Sequence, residues 1–141
     1  MYKKILVAYD GSDGSKKALE RGVITAQLHQ AEIKVIWVQS KLPHYPETIS
    51  EVKQEQNGAI AFANKLENEV NHFAKGNNYP IKFVHQQGHT AKTIVTYAEK
   101  EHFELIIAGS TGHSNLWGRL LGHTADMISE NAHCDVLIVR T

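Results

Sequence analysis

A lone cysteine, Cys134, leaves this sequence without the means to build a disulfide framework. A free thiol suits a reducing interior, so the cytoplasm is the expected compartment. An excess of charge of one sign is also missing. Fifteen Lys and Arg balance fifteen Asp and Glu, and no Lys/Arg cluster supplies the basic face that a nucleic-acid binder uses to neutralise phosphates, so no nucleic-acid partner is expected. No apolar run approaches the ~18 residues of a membrane span, and no membrane partner is expected either. Lys3 and Lys4 precede an apolar run of about five residues that lacks a small-residue cleavage pattern, so the N-terminus reads as a first strand. Repeats, low-complexity tracts and linkers are absent. At 141 residues and 42% apolar composition, the expectation is one domain over residues 1–141, large enough to bury roughly two-thirds of its unfolded surface without staples.

What is present alternates between two patterns. Ile5–Tyr9, Ile33–Val38, Leu105–Ala108 and Val136–Val139 are short, β-branched-rich runs with little polar alternation, as in strands covered on both faces. Ile81–His85 alternates more and follows Pro80, which places it at a sheet edge. Between these runs lie helical spacings: Leu19, Val23 and Ala26; Phe62, Leu66, Val70 and Phe73; Ala91, Ile94, Val95 and Ala98; Leu121, Ala125, Ile128 and Ala132. The order β-α-β-α-β-α-β-α-β predicts a doubly wound α/β fold, a five-stranded parallel sheet with helices on both faces and right-handed crossovers. Ser40–Ser50, with two prolines, reads as the long loop. Trp37 reads as core.

Ligands of such sheets collect outside the carboxyl ends of the strands, which directs attention to Asp10–Ser15, Gln39–Ser50, Gln86–Thr90 and Gly109–Gly118. The last is the informative one. Gly109 ends a strand, Ser110, Thr111, Gly112, His113 and Ser114 form a polar loop, and a helix follows whose first turns include Gly122, His123 and Thr124. Glycines permit close backbone approach, and a helix start offers unpaired N–H groups and a positive dipole end, so the segment suits a phosphate. The same glycines also suit a plain turn. Ser110 and Thr111 hydroxyls reach either a phosphate or the local backbone. Trp117 reads as a lid or as cover for the fourth helix, and Arg119 as a phosphate contact or a solvated residue.

Other chemistries fit less well. Asp10-Gly-Ser-Asp-Gly14 lacks the three glycines of the dinucleotide motif, and no Gly-Lys-Ser/Thr forms a Walker loop. A receiver domain would end its third strand in Asp, where this chain has His85-Gln86-Gln87. Nine histidines lie scattered without an i, i+4 pair on one helix, so metal ligands are not assigned; His85 and His89 straddle the Gly88 turn and leave only a loose surface site open. His113 and Ser114 are adjacent, face apart, and have no acid placed by sequence to orient the ring. Asp10 serves equally as a ribose or metal contact and as the acceptor of a turn; Ser12 or Asp13 caps the first helix.

The spacing Gly109-x2-Gly112-x9-Gly122, the ending Cys134-Asp-Val-Leu-Ile-Val-Arg140, the opening Lys4-Ile-Leu-Val-Ala-Tyr-Asp10-Gly-Ser and the turn Gly88-His-Thr-Ala-Lys-Thr-Ile94 occur in one order along the chain. Together they resemble the universal stress protein family over nearly the whole length. The resemblance implies an ATP site, with Mg2+ or Mn2+ accompanying the nucleotide. Ala8, Tyr9 and Asp10 would lie at the ribose or base, Val38 at the adenine, and Gly109, Ser110, Gly112, His113, Gly122, His123 and Thr124 along the phosphates. The family's hydroxyl after the last glycine is here His123, with Thr124 one residue later and rotated by about 100°. The implied function is a nucleotide-dependent stress-response sensor, with slow hydrolysis at most, since no general base or Walker lysine stands beside the loop. The alternative is a homodimeric interaction protein with a vestigial site. In either case a homodimer through the last strand is expected, since Val136–Val139 is an apolar edge.

Overall fold

A computed structural model describes residues 1–40, 48–111 and 123–140. Nine elements follow in order: β1 (Lys4–Ala8), α1 (Asp13–His29), β2 (Glu32–Gln39), α2 (Ile49–Asn77), β3 (Lys82–Gln87), α3 (Thr90–Lys100), β4 (Leu105–Gly109), α4 (His123–Asn131) and β5 (Asp135–Val139). The strands form one parallel sheet in the order β3-β2-β1-β4-β5. The doubly wound expectation holds, and β3 and β5 occupy the two edges as read from the sequence.

Alternation along the inner strands sends successive side chains to opposite faces, and both faces are covered. Ile5, Val7, Ile33 and Ile107 pack with Leu19 and Val23 of α1 and Leu66 and Val70 of α2. Leu6, Ile36 and Ile106 pack with Ile94 of α3 and Ile128 of α4. Inner strands with no wet face have no reason to alternate polarity, which is why their sequences are continuous apolar runs. Among the described residues no helix is long and apolar enough to cross a membrane.

Three sequence readings need correction. The loop expected over Ser40–Ser50 ends earlier, because Thr48 caps α2 by accepting a hydrogen bond from the Glu51 N–H at 3.1 Å and Ile49 already lies in the helix. That helix runs well ahead of the expected Phe62, yet nothing before Ala63 is fully buried, so its first turns carry no apolar stripe to read. Trp37 is half-buried rather than core, with an edge-to-face contact to Phe62 at 5.0 Å and a stacked contact to His85 at 4.6 Å. The edge strand extends to Gln87 instead of stopping at His85, held by pairing as far as Gln39↔Gln87.

Candidate functional site

The carboxyl ends of β2, β1 and β4 reach the same rim of the sheet, where a cavity of about 350 Å³ opens, within the range of small-molecule sites. From β1 and its exit come Ala8, Tyr9 and Asp10; from β2, Ile36, Trp37, Val38 and Ser40; from β4, Ala108, Gly109 and Thr111. The helices contribute their starts: Ser12 and Ser15 at α1, Thr90 and Ile94 at α3, and His123, Thr124 and Ala125 at α4. The structure thus brings together Ala8, Tyr9, Asp10, Val38, Gly109, His123 and Thr124 of the residues expected from sequence. Ser110 stands apart from them. It is buried, and its N–H donates to the Val139 carbonyl at 2.8 Å, tying β4 to β5. Gly112, His113 and Gly122 lie outside the described residues, as do Ser114, Trp117 and Arg119.

The starts of α1 and α3 are closed by their own residues. At α1 the Ser12 hydroxyl accepts from the Ser15 N–H at 3.2 Å, and the Asp10 carboxylate accepts from the Ser12 N–H at 2.9 Å. This is an Asx-type turn, completed by Gly11 at φ 84°. Asp10 is therefore a turn acceptor, one of the two alternatives open in the sequence, and it also lines the cavity. At α3 the His89 Nδ1 accepts from the Lys92 N–H at 3.3 Å. The first described residues of α4, His123, Thr124 and Ala125, line the cavity together with Ala108 and Gly109 of β4.

Around this cavity burial sets protonation. Tyr9 is buried and its hydroxyl donates to the Glu69 carboxylate at 2.7 Å; burial first, and then that bond, push its phenol far up, so it stays protonated. His85 Nε2 lies 3.1 Å from the Gln39 side-chain oxygen, and burial pulls the ring below the ordinary histidine value. His85 and His89 thus engage separate partners, and among the described residues no group of three or more His, Cys, Asp or Glu could hold a metal. A divalent ion here would need ligand oxygens as well.

Sequence reasoning did not single out Ser15, Ile36, Thr90 or Ile94. Ile36 and Ile94 carry only the signal of core periodicity, and nothing in Thr90 marks it until α3 is seen to start at the cavity.

The universal stress protein family model matches residues 1–140. The chain is 34% identical over 148 residues to universal stress protein MJ0531 of Methanocaldococcus jannaschii, covering 99% of this chain and 83% of the relative. Among solved structures, it is similar to the universal stress protein UspA from Lactobacillus plantarum, with a TM-score of 0.88 at 27% identity over 99% of this chain and 98% of that one. It is also similar to a universal stress protein solved in complex with cAMP, with a TM-score of 0.73 at 25% identity over 98% and 97% of the two chains. A family match over nearly every residue, with the parallel sheet and strand-end cavity already in place, establishes that the chain belongs to the universal stress protein family.

Proposed function

We propose that this chain binds ATP in the strand-end cavity, with Mg2+ or Mn2+ carried on the phosphates, and acts as a nucleotide-dependent sensor in the stress response. The order of chemistry across the cavity carries this reading. At the β2 end the walls are apolar, formed by Ile36, Val38 and Ile94. In the middle, at β1, stands the Asp10 carboxylate, suited to ribose hydroxyls; at the β4 end the α4 start offers N–H groups to anions. A nucleotide has the same order: flat apolar base, hydroxylated sugar, phosphate. The relative in complex with cAMP supports a nucleotide as the guest. His123 takes the position of the family's hydroxyl, and its ring N–H offers a donor to phosphate in exchange.

Hydrolysis is proposed to be slow at most, because Asp10, the carboxylate among the described lining residues, is engaged by the Ser12 N–H on the β1 side of the cavity. The chain is further proposed to be a cytoplasmic homodimer paired through β5. The test is mass spectrometry of what freshly purified protein releases on denaturation, followed by calorimetry with ATP and Mg2+. Adenine nucleotide in near-stoichiometric amount, or ATP binding to the emptied protein, is the expected result. An empty protein that stays dimeric and gives no heat with ATP would instead favour a partner-binding protein with a vestigial site.

A further inference from the structure

We infer that His89 is a positioning residue which closes the α3 wall of the cavity only while its ring is neutral, so that mild acid loosens the first turn of α3 and with it the grip on the guest. The turn is anchored on both sides. Before it, the Gly88 N–H donates to the Gln39 carbonyl at 3.0 Å; after it, Ala91 and Ile94 are each 2% exposed in the core. Between these anchors stand His89 and Thr90, and Thr90 lines the cavity together with Ile94. The side-chain bond that closes the turn runs from the Lys92 N–H to His89 Nδ1 at 3.3 Å. His89 is exposed, so a proton reaches its ring directly from solvent.

An accepting nitrogen carries no hydrogen, so the closed turn needs the neutral ring with its hydrogen on Nε2; a protonated ring has a hydrogen on both nitrogens and accepts nothing. The caps of α1 and α2 are the hydroxyls of Ser12 and Thr48, which keep their acceptor through this range of pH. Charge acts in the same direction. Asp13 and Glu51 lie in the first turns of α1 and α2, whereas the first turn of α3 holds no acidic residue and carries Lys92. A protonated His89 adds a second cation at the positive end of the helix dipole. The closure is therefore present at neutral pH and is lost as pH falls through the range in which histidines take up a proton. Among the described residues, the other titratable groups on the elements around this end of α3 are His85 on β3, Asp10 beyond β1, and His123 and Asp126 on α4; β2 ends in Gln39 and Ser40, which do not titrate.

NMR of wild type, His89→Asn and His89→Ala between pH 7.5 and 5.5 tests this without a ligand, since Asn caps a helix at both values and Ala at neither. At pH 7.5 the His89 ring is expected in its Nε2–H tautomer. On acidification the Thr90 and Lys92 amide signals are expected to follow that ring in wild type and to move far less in His89→Asn, where His85 and His123 still titrate. The melting temperature of wild type is expected to fall by about 2–4 °C more than that of His89→Asn, the loss of one cap, and His89→Ala to show no such additional fall. The affinity arm rests on the nucleotide reading: by calorimetry with ATP and Mg2+, wild type is expected to lose about twofold to fivefold more affinity than His89→Asn over the same range. An Nδ1–H tautomer, or amide shifts equal in wild type and His89→Asn, overturns the inference whether or not ATP binds. Equal losses of ATP affinity in the two proteins overturn the link to the guest. The expected NMR behaviour in a protein that binds no nucleotide at either pH overturns the nucleotide reading and leaves the acid-sensitive wall in place.

Discussion

Gly109 lacks a side chain for a reason that lies one helix away. A Cβ there would stand 2.7 Å from the carbonyl oxygen of Gly14, and Gly14 is itself buried in the first turn of α1, so two glycines let β4 and α1 touch backbone to backbone. The sequence offers Gly109 as a phosphate-loop glycine or a turn glycine; neither reading contains Gly14, because a contact between residues 95 apart leaves no mark on local spacing. Chemistry at the residue scale also gives a pH dependence. Burial against Trp37 holds the His85 ring below its ordinary value of 6.5, so in the folded chain it stays neutral where the unfolded chain would protonate. A depressed histidine contributes stability that is fully present above about 6.5 and is lost as pH falls through that value, levelling off below the folded-state value. Urea unfolding at pH 7.5 and 5.5 is expected to show a larger loss in wild type than in His85→Phe, which keeps the ring stack and cannot titrate. Equal losses would assign the acid sensitivity to other histidines.

At the scale of elements, the strands and three of the helices were legible because their buried faces impose a period on the sequence, whereas the first turns of α2 were not. Ile49 and Ile60 are 78% and 55% exposed, and a helix exposed on all sides has no stripe; only the Thr48 cap and a run of good helix formers mark its start. The site was legible in the same uneven way. Asp10 and His123 stand at element ends, where sequence pattern breaks, and Val38 entered only through the family resemblance, while Thr90 and Ile94 share a helix face whose spacing reads as core. What fixes α2 over β1 near the site is partly polar: the Tyr9 hydroxyl donates to Glu69 at 2.7 Å, a bond to a charged acceptor on a buried donor. Tyr9→Phe removes it and strands a half-buried carboxylate. A loss of about 1–2 kcal/mol is expected by urea unfolding at pH 7, shrinking in a Glu69→Ala background. A change near zero would mean that water replaces the phenol without cost.

At the scale of the whole molecule the two sheet edges differ, and the difference decides where a second copy would add. The β3 edge carries Lys82, paired with Glu32 at 2.9 Å, and then His85, Gln86 and Gln87, polar residues that discourage strand addition. The β5 edge carries Val136, Leu137 and Ile138, all half-buried in the single chain, so pairing two such edges buries apolar surface on both sides of the joint. The backbone supplies a selective test. The Asp135 N–H donates inward to Glu104, and the Val139 carbonyl accepts inward from the Ser110 N–H; since residues alternate along a strand, Asp135, Leu137 and Val139 face β4 while Val136 and Ile138 present their N–H groups outward. Ile138→Pro therefore deletes an outward donor without removing a β4–β5 hydrogen bond, as proline at an edge position allows. Analytical ultracentrifugation of this variant, with circular dichroism to confirm folding, is expected to show monomer at concentrations where wild type is dimeric. Leu137→Pro, which strikes an inward N–H, is expected to lose fold stability instead. A folded Ile138→Pro protein that stays fully dimeric would move the interface away from β5, and the apolar edge would then need another cover.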